Sequence, residues 1–330
     1  MILSLNLILL SKYARIHPIC KKQGDMFVSS FNEQFIYAIV IIAIGYILKH
    51  FNIIKESDGE GLSRIIFNLT LPALIIVSFS DIQMETSLFL LVLIGFLYGL
   101  LMAIFGLFIF KNESNHVKGM LGMLIPGFNI GLFAYPLVEG IWGKEGIKYF
   151  GMFDVGNAFI VFGVVFLIGS FYASDDTTFE WRPILKKLTR SIPFLTYIIV
   201  CLLAFLNIQL PGVILDVSAM ISPANMPLSF LLLGIYLNFS FAKNTYNLVM
   251  KVLILRYGVG LIVGVFLFFV LPFDDMFKYT VLLGLILPVS VSVLPYSVEL
   301  GYDSKFVGTA SNIMIIISFV LLWLITNLII

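Results

Sequence analysis

The chain has 330 residues, of which 60% are hydrophobic and 12% charged, with a net charge of +1 and a mean hydropathy of +1.05. Water-soluble chains carry about 25% charged and roughly 45–50% apolar residues. This composition therefore excludes an ordinary soluble domain and indicates a membrane protein. The balanced charge argues against nucleic-acid binding. Two cysteines, Cys20 and Cys201, do not indicate a disulfide framework.

The first 25 residues form a segment of their own. A brief apolar stretch, 3–10, is followed by four basic residues, Lys12, Arg15, Lys21 and Lys22. A secretory signal places its charges before the apolar stretch, so this order does not fit one. Met26 opens a segment that looks like a natural start, and we expect residues 1–25 to be an N-terminal tail upstream of it.

The rest of the chain consists of long apolar blocks separated by short polar segments. An α-helix needs about 20 apolar residues to cross a bilayer. On that length the sequence predicts ten spans, at 31–48, 65–80, 88–110, 120–138, 149–172, 192–210, 217–237, 248–271, 277–298 and 307–330. The expected fold class is an all-α polytopic membrane protein.

The longest connection, 173–191, divides the chain into two groups of five spans. We therefore predict a first five-helix repeat at 26–172, a cytoplasmic linker at 173–191 and a second five-helix repeat at 192–330. Lys and Arg concentrate in the loops after the odd-numbered spans, and cytoplasmic loops carry such an excess. Both termini are predicted to lie outside the cell membrane. The basic tail opposes this orientation, which is a second reason to place it upstream of the natural start.

A faint internal repeat links span 4 to span 9. The sequence Gly122-Met-Leu-Ile-Pro126 resembles Gly284-Leu-Ile-Leu-Pro288, and each is followed by a second proline, Pro136 or Pro295. Spans 2 and 7 also carry matching prolines at a similar offset. Two copies of a unit with an odd number of spans enter the membrane in opposite directions, as in the inverted repeats of alternating-access carriers.

The paired prolines predict breaks in spans 4 and 9. Proline lacks an N–H and displaces the carbonyl four residues earlier, which would free the carbonyls of Gly122, Leu132, Gly284 and Val291. Broken helices are tolerated at membrane depth only inside protein or beside a wet cavity. Half-helix N-termini there would attract an anion. A lone proline often merely kinks a packed helix, but recurrence in both halves favours a substrate site.

Candidate substrate-binding residues cluster at these breaks. Asn129 stands between the two prolines of span 4, where its amide can donate to a carboxylate, although an interhelical hydrogen bond is the alternative. Serines in span 9 are weaker candidates because hydroxyls in helices often bond their own backbone. The full set is Pro126, Gly127, Asn129, Gly131, Pro136, Pro288, Ser290, Ser292 and Pro295.

Three further polar residues are candidates for ion coupling or ion pairing. Asp154 and Asn157 lie three apart on one face of span 5. Asp154 could carry a coupling proton, or it could be a water-exposed carboxylate near a helix end. Arg256, about two turns into span 8, could pair with the substrate or with Asp154. Snorkelling to the cytoplasmic surface is the alternative for Arg256.

Several other classes of chemistry are disfavoured. The sequence has no GxxxxGK[ST] phosphate loop, no HExxH motif and no Ser or Cys nucleophile with a histidine partner. The three histidines, His17, His50 and His116, all lie outside the predicted spans. We therefore expect neither an enzyme nor a bound metal or cofactor.

Five segments together carry a resemblance to a known family. They are Phe67-Asn-Leu-Thr-Leu-Pro-Ala-Leu-Ile75, Phe128-Asn-Ile-Gly-Leu-Phe-Ala-Tyr-Pro-Leu137, Phe153-Asp-Val-Gly-Asn157, Met226-Pro-Leu-Ser-Phe-Leu-Leu-Leu-Gly234 and Leu287-Pro-Val-Ser290. In order and spacing they resemble the auxin efflux carrier family of transporters over about residues 26–330. The long cytoplasmic loop of plant members is missing, which indicates a compact, prokaryote-like, malate permease-like member.

That resemblance implies ten helices in two inverted five-helix repeats, with helices 4 and 9 crossing at their prolines. It implies a scaffold of helices 1, 2, 6 and 7 and a transport domain made of the others. It also implies carboxylate substrates, malate among them, bound near Asn129 and the crossover prolines. Span 9 departs from the family pattern, because serines and valines follow Pro288 where an asparagine is expected.

The expected function is secondary active transport of small organic anions, mono- or dicarboxylates such as malate. Proton symport, sodium symport and facilitated exchange all stay open. An anion channel and a non-transporting membrane receptor are the alternatives. The expected partners are the organic anion and the lipid bilayer, and the sequence leaves a homodimer open.

Overall fold

The computed structural model describes residues 32–80, 86–173, 181–206, 208–237 and 246–329. The N-terminal tail and the expected start at Met26 lie outside these residues. Within the described ranges the chain forms helices and no β-strand. Seven helical stretches there are long and apolar enough to cross a membrane. The predicted all-α membrane class is therefore confirmed for this part of the chain.

The described part of the first half contains six helices. They are α1 (Asn32–His50), α2 (Asp58–Phe79), α3 (Thr86–Ile109), α4 (Asn115–Leu124), α5 (130–142) and α6 (144–173). The last two belong to one helical stretch that is interrupted at Gly143. The φ of +59° and ψ of −144° at this glycine are not helical, so the chain changes direction there.

Seven helices lie in the described residues of the second half. They are α7 (Trp181–Arg190), α8 (Ile192–Phe205), α9 (Gly212–Tyr236), α10 (Tyr246–Val270), α11 (Asp275–Gly284), α12 (Val293–Glu299) and α13 (Ser304–Ile329). Each of the ten predicted spans overlaps at least one of the helices in the described residues. Spans 4 and 9 are each divided, between α4 and α5 and between α11 and α12. Helix α7 lies in the linker, where the sequence analysis predicted no helix.

Two prolines are preceded by a wider helical turn. The π-helical residues Ile66–Thr70 in α2 and Ile130–Ala134 in α5 come just before Pro72 and Pro136. In both places the N–H that closes the turn bonds to the carbonyl five residues earlier rather than four. Because proline supplies no N–H of its own, the wider turn accommodates the missing donor.

Glycines allow two helix pairs to cross with their backbones in contact. On α1, a Cβ added to Gly45 would lie 2.3 Å from the carbonyl oxygen of Leu231 on α9. In return, a Cβ on Gly234 would lie 2.1 Å from the carbonyl oxygen of Ile42. Such close approach through small residues is how membrane helices commonly pack. It fixes α1 against α9.

The pair α3 and α6 is built in the same reciprocal way. A Cβ on Gly95 would meet the Phe153 carbonyl oxygen at 2.6 Å, and one on Gly156 would meet that of Val92 at 2.0 Å. Helix α2 packs on α8 and α9, whereas α4 packs on α6 and α10 on α11. Helices α2 and α9 also pack against the stretch formed by α5 and α6.

Candidate functional site

The two broken helices meet at their interruptions. The chain leaves regular helix after Leu124 and resumes it at Ile130, and it does so again between Gly284 and Val293. The backbone N–H of Asn129 donates a 2.9 Å hydrogen bond to the carbonyl oxygen of Pro288. The extended segments 125–129 and 285–292, which we call the first and second break, therefore lie in direct contact.

Gly127 shapes the first break. Its φ of +77° falls in the left-handed region, which residues with a side chain rarely adopt. A Cβ at this position would also lie 2.9 Å from Val161 Cγ2. Both the backbone turn and the space beside α6 therefore require glycine here.

Arg256 on α10 binds the carbonyls that the breaks set free. Its side chain is only 1% exposed. The guanidinium donates to the carbonyl oxygens of Ile125 at 2.5 Å and Gly127 at 2.6 Å in the first break. It also donates to Leu287 at 3.1 Å in the second break and, at 3.4 Å, to Leu124. An unsatisfied carbonyl in the membrane costs several kcal/mol, so one buried cation stabilises both breaks.

This placement differs from both sequence-based interpretations of Arg256, which paired it with Asp154 or the substrate or turned it toward the surface. The freed carbonyls also differ from those expected four residues before each proline. Helices α4 and α11 end at Leu124 and Gly284, before Pro126 and Pro288, so the carbonyls that Arg256 binds belong to the last turn of α4 and to the extended segments.

Asn157 on α6 satisfies the backbone of Phe128 in the first break. Its side-chain oxygen accepts from the Phe128 N–H at 2.8 Å, and its amide donates to the Phe128 carbonyl at 3.0 Å. The second amide hydrogen goes to Asp154 Oδ1 at 3.0 Å. The Phe128 ring lies 4.6 Å from the Arg256 guanidinium carbon, a cation–π arrangement. The break is thus held from two sides.

Asp154 connects α6 to α5 and α8. Its Oδ2 accepts hydrogen bonds from the hydroxyls of Tyr135 at 3.0 Å and Tyr197 at 3.4 Å. These two hydroxyls also hydrogen-bond each other. Neither tyrosine was predicted from the sequence, where each is marked only by a hydroxyl within an otherwise apolar block.

Asn129 caps the N-terminus of α5 and keeps one donor unused. Its Oδ1 accepts from the backbone N–H of Leu132 at 3.3 Å. Its Nδ2 is buried and has no hydrogen-bond partner among the described residues. Because the residue is only 4% exposed, that amide has little access to solvent and is placed for an acceptor that enters the site.

A pocket of about 60 Å³ lies where these groups converge, and we call it the central pocket. Its polar lining combines candidates from both breaks with those of α6, namely Asn129, Asp154, Asn157, Ser290 and Ser292. Gly131 also lines it. Its volume corresponds to about two water molecules, so a larger ligand requires the walls to move apart.

The other candidates take supporting positions. The Pro288 carbonyl accepts the hydrogen bond from the Asn129 N–H that joins the two breaks, and the Gly127 carbonyl accepts from Arg256. Pro126 lies in the first break, Pro136 in the first turn of α5 after its π-helical turn, and Pro295 within α12. Ser290 Oγ accepts from the backbone N–H of Ser292 at 3.3 Å, the local bond considered as its alternative. Among the described residues, no group of three His, Cys, Asp or Glu side chains is placed to hold a metal ion.

A second cavity of about 330 Å³ reaches Asn129 from the side of α13. It shares Asn129 and Val291 with the central pocket and extends to Lys305. The first break therefore borders both the central pocket and this second cavity.

The described part of the chain combines membrane-spanning helices with two broken helices that meet beside a buried polar pocket. This combination is typical of membrane transport proteins. Residues 31–181 match the family model described as membrane transport protein. An uncharacterized transporter of Methanocaldococcus jannaschii is 27% identical over 246 residues, covering 71% of this chain and 74% of the relative. An uncharacterized transporter of Methanothermobacter thermautotrophicus is 22% identical over 292 residues, covering 87% and 95%. The match over residues 31–181 and the two relatives agree with the resemblance of the sequence to the auxin efflux carrier family of transporters.

Proposed function

We propose that the protein is a secondary active transporter of small organic anions, mono- or dicarboxylates such as malate, working by alternating access. The observation that carries this proposal is the unpartnered Nδ2 donor of Asn129, held at the point where two broken helices cross. A carboxylate oxygen is the acceptor such a donor fits best, because a hydrogen bond to a charged acceptor is stronger than one to a neutral group.

The surroundings of Asn129 favour a negative charge. Helix α5 begins there, and the N-terminus of a helix carries a partial positive charge. The Arg256 guanidinium lies behind the break and is hydrogen-bonded to carbonyls, not to a carboxylate. Its positive charge is thus available to raise the local potential without being displaced by the substrate.

The proposed architecture is ten transmembrane helices in two inverted five-helix repeats, at 26–172 and 192–330, joined by the cytoplasmic linker 173–191. The scaffold comprises spans 1, 2, 6 and 7, and the transport domain comprises the others. The glycine crossings support this division, because α1 with α9 and α3 with α6 each pair helices of one group. Both termini would lie outside the cell membrane, and a homodimer is compatible with the arrangement.

Asp154 is the proposed coupling residue. It lines the same pocket as Asn129, so an ionised Asp154 would repel a bound carboxylate. Protonation removes this repulsion, which would let a proton and an anion bind together. The hydroxyls of Tyr135 and Tyr197 stabilise the ionised form between cycles.

Malate uptake into proteoliposomes, with and without an imposed pH gradient, tests the proposal. We expect saturable uptake that excess unlabelled organic acids inhibit and that Asn129→Ala abolishes while the protein stays folded. Accelerated counterflow of preloaded malate identifies a carrier, whereas unitary currents without counterflow identify a channel. Binding without flux would identify a receptor, and indifference to every acid would overturn the proposed substrate class.

A further inference from the structure

A large cavity opens beside the central pocket, next to helix α7. It measures about 730 Å³ and is lined by α7, by the start of α8 and by parts of α2, α6 and α12. We call it the basic vestibule, because Arg182, Lys186 and Arg190 all line it.

The three basic residues recur every fourth position along α7. That spacing places them on one face of a helix, and it is this face that borders the vestibule. All three side chains are exposed. This charged helix face therefore forms one wall of an open cleft.

The charge of the described vestibule lining is unbalanced. Among the described residues that line it, Glu299 on α12 is the acidic member, against three cations from α7. Aromatic side chains, Phe162 among them, form part of the wall. A cleft lined by charges of one sign with low-dielectric walls concentrates the field and can raise the local concentration and association rate of oppositely charged ligands by about 10- to 1,000-fold.

The vestibule leads toward the central pocket. Phe67, Phe162, Pro193 and Ser292 line both spaces. An anion held near α7 is therefore separated from the Asn129 site by a single layer of shared residues.

We propose that the basic vestibule is an anion-capture site, which binds carboxylate substrates through Arg182, Lys186 and Arg190 before they reach the central pocket. The identity of the ligand rests on the proposed function. The electrostatic part of the proposal, that the vestibule attracts anions, is independent of it because it follows from the three cations and the shape of the cavity.

A chemical probe measures the electrostatic part without transport. In a background with Cys20→Ser and Cys201→Ser, the substitution Ser292→Cys puts a thiol where the two spaces join. Its reaction rates with an anionic sulfonatoethyl and a cationic trimethylammonium-ethyl methanethiosulfonate are compared, each relative to a free thiol. We expect a strong preference for the anionic reagent, falling about tenfold when Arg182, Lys186 and Arg190 are all changed to Gln.

A matched control neutralises three other cations, Lys55, Arg64 and Lys251, which line none of the cavities described above. This variant has the same net charge, so the reagent preference should be unchanged in it. An equal preference in both variants, or no preference in the parent, would overturn the inference whether or not any organic acid is transported.

Uptake kinetics then test capture of the substrate. In vesicles of phosphatidylcholine alone, which removes anionic lipid headgroups, the α7 variant should raise the KM for malate about tenfold at low salt and leave kcat unchanged. Its KM should also respond less to salt than that of the parent. If the parent protein shows saturable malate uptake and the α7 variant has the same KM, the capture role is contradicted but the proposed function is not. If the parent protein transports no malate, the proposed function is contradicted.

Discussion

Thr70 on α2 donates a 3.0 Å hydrogen bond from its Oγ1 to Oδ1 of Asn225 on α9. Both residues are buried, and each lies two positions before a proline, Pro72 or Pro227. In the proposed inverted repeat these are equivalent positions. Equivalent residues touch only near a twofold axis, so this bond supports an axis that passes between α2 and α9.

Replacing Thr70 by Val should destabilise the protein by about 1–3 kcal/mol, because the Asn225 oxygen loses a buried donor. Thr280→Val is the matched control, since the buried Thr280 hydroxyl bonds the Met276 carbonyl of its own helix. Apparent Tm in detergent measures both. The double variant Thr70→Val, Asn225→Leu tests whether the two side chains are coupled. If its loss of stability equals the sum of the losses in the two single variants, direct coupling is contradicted.

The contact of α1 with α9 predicts a sharp difference between two glycines. Gly234→Ala should lower the apparent Tm, because the new methyl group would lie 2.1 Å from the Ile42 carbonyl oxygen. Gly258→Ala should leave it unchanged or raise it, since a Cβ there meets no atom within 4 Å and alanine favours helix over glycine. Equal Tm values for the two variants would contradict the close helix crossing.

The hydrogen bonds of Arg256 predict that a positive charge alone at this position does not stabilise the two breaks. Lysine has one compact ammonium group and cannot match the planar fork that reaches carbonyls of both breaks. Arg256→Lys should therefore destabilise the protein by about 2 kcal/mol or more, since hydrogen bonds to charged groups contribute about 1.5–3 kcal/mol each. Arg64→Lys, on the surface beside Glu60, should change the apparent Tm little. A stable Arg256→Lys protein would show that the breaks do not depend on the fork.

The long apolar blocks and the paired prolines made the helical class and the two breaks predictable. Proline acts on its own backbone, so Pro126 and Pro288 reveal a break without any knowledge of neighbours. The role of Arg256 was not predictable in this way. Its partners come from two segments distant in the chain, and a lone arginine in an apolar block looks the same whether it turns toward the surface or inward.

Two other features could not be predicted from the sequence, for similar reasons. The bond between Tyr197 and Asp154 joins α8 to α6 and depends on how the helices pack, which no local pattern records. Helix α7 has only ten residues, and its basic residues, Arg182, Lys186 and Arg190 among them, were counted as loop charges that set membrane orientation. Their common four-residue spacing was the available signal for a helix with a basic face.

Asn129→Asp provides a sharper test of the substrate site than removal of the side chain. Aspartate keeps the oxygen that caps α5 at the Leu132 N–H and has nearly the same volume, but it replaces the unused donor by a negative charge. Malate uptake at neutral pH should fall about 10- to 100-fold, since a hydrogen bond to a charged group contributes about 1.5–3 kcal/mol. The apparent Tm should be close to that of the native protein.

Asn327→Asp is the control for this change, because Asn327 bonds Asn32 at the far end of α13 and lines no cavity described above. It should leave uptake unchanged. Native uptake in Asn129→Asp would place the substrate elsewhere, and loss in both variants would indicate a general effect of added charge.

Asp154 predicts the response to pH. If protonation of this carboxylate allows the anion to bind, an acidic exterior and alkaline interior should stimulate malate uptake by the native protein. Asp154→Asn removes the charge at every pH and keeps an acceptor for the Tyr135 hydroxyl. This variant should still exchange internal for external malate, but its uptake should no longer respond to the pH gradient. Asp216→Asn, at an exposed position on α9, should respond as the native protein does. A gradient response that survives in Asp154→Asn would assign coupling to another group or to sodium.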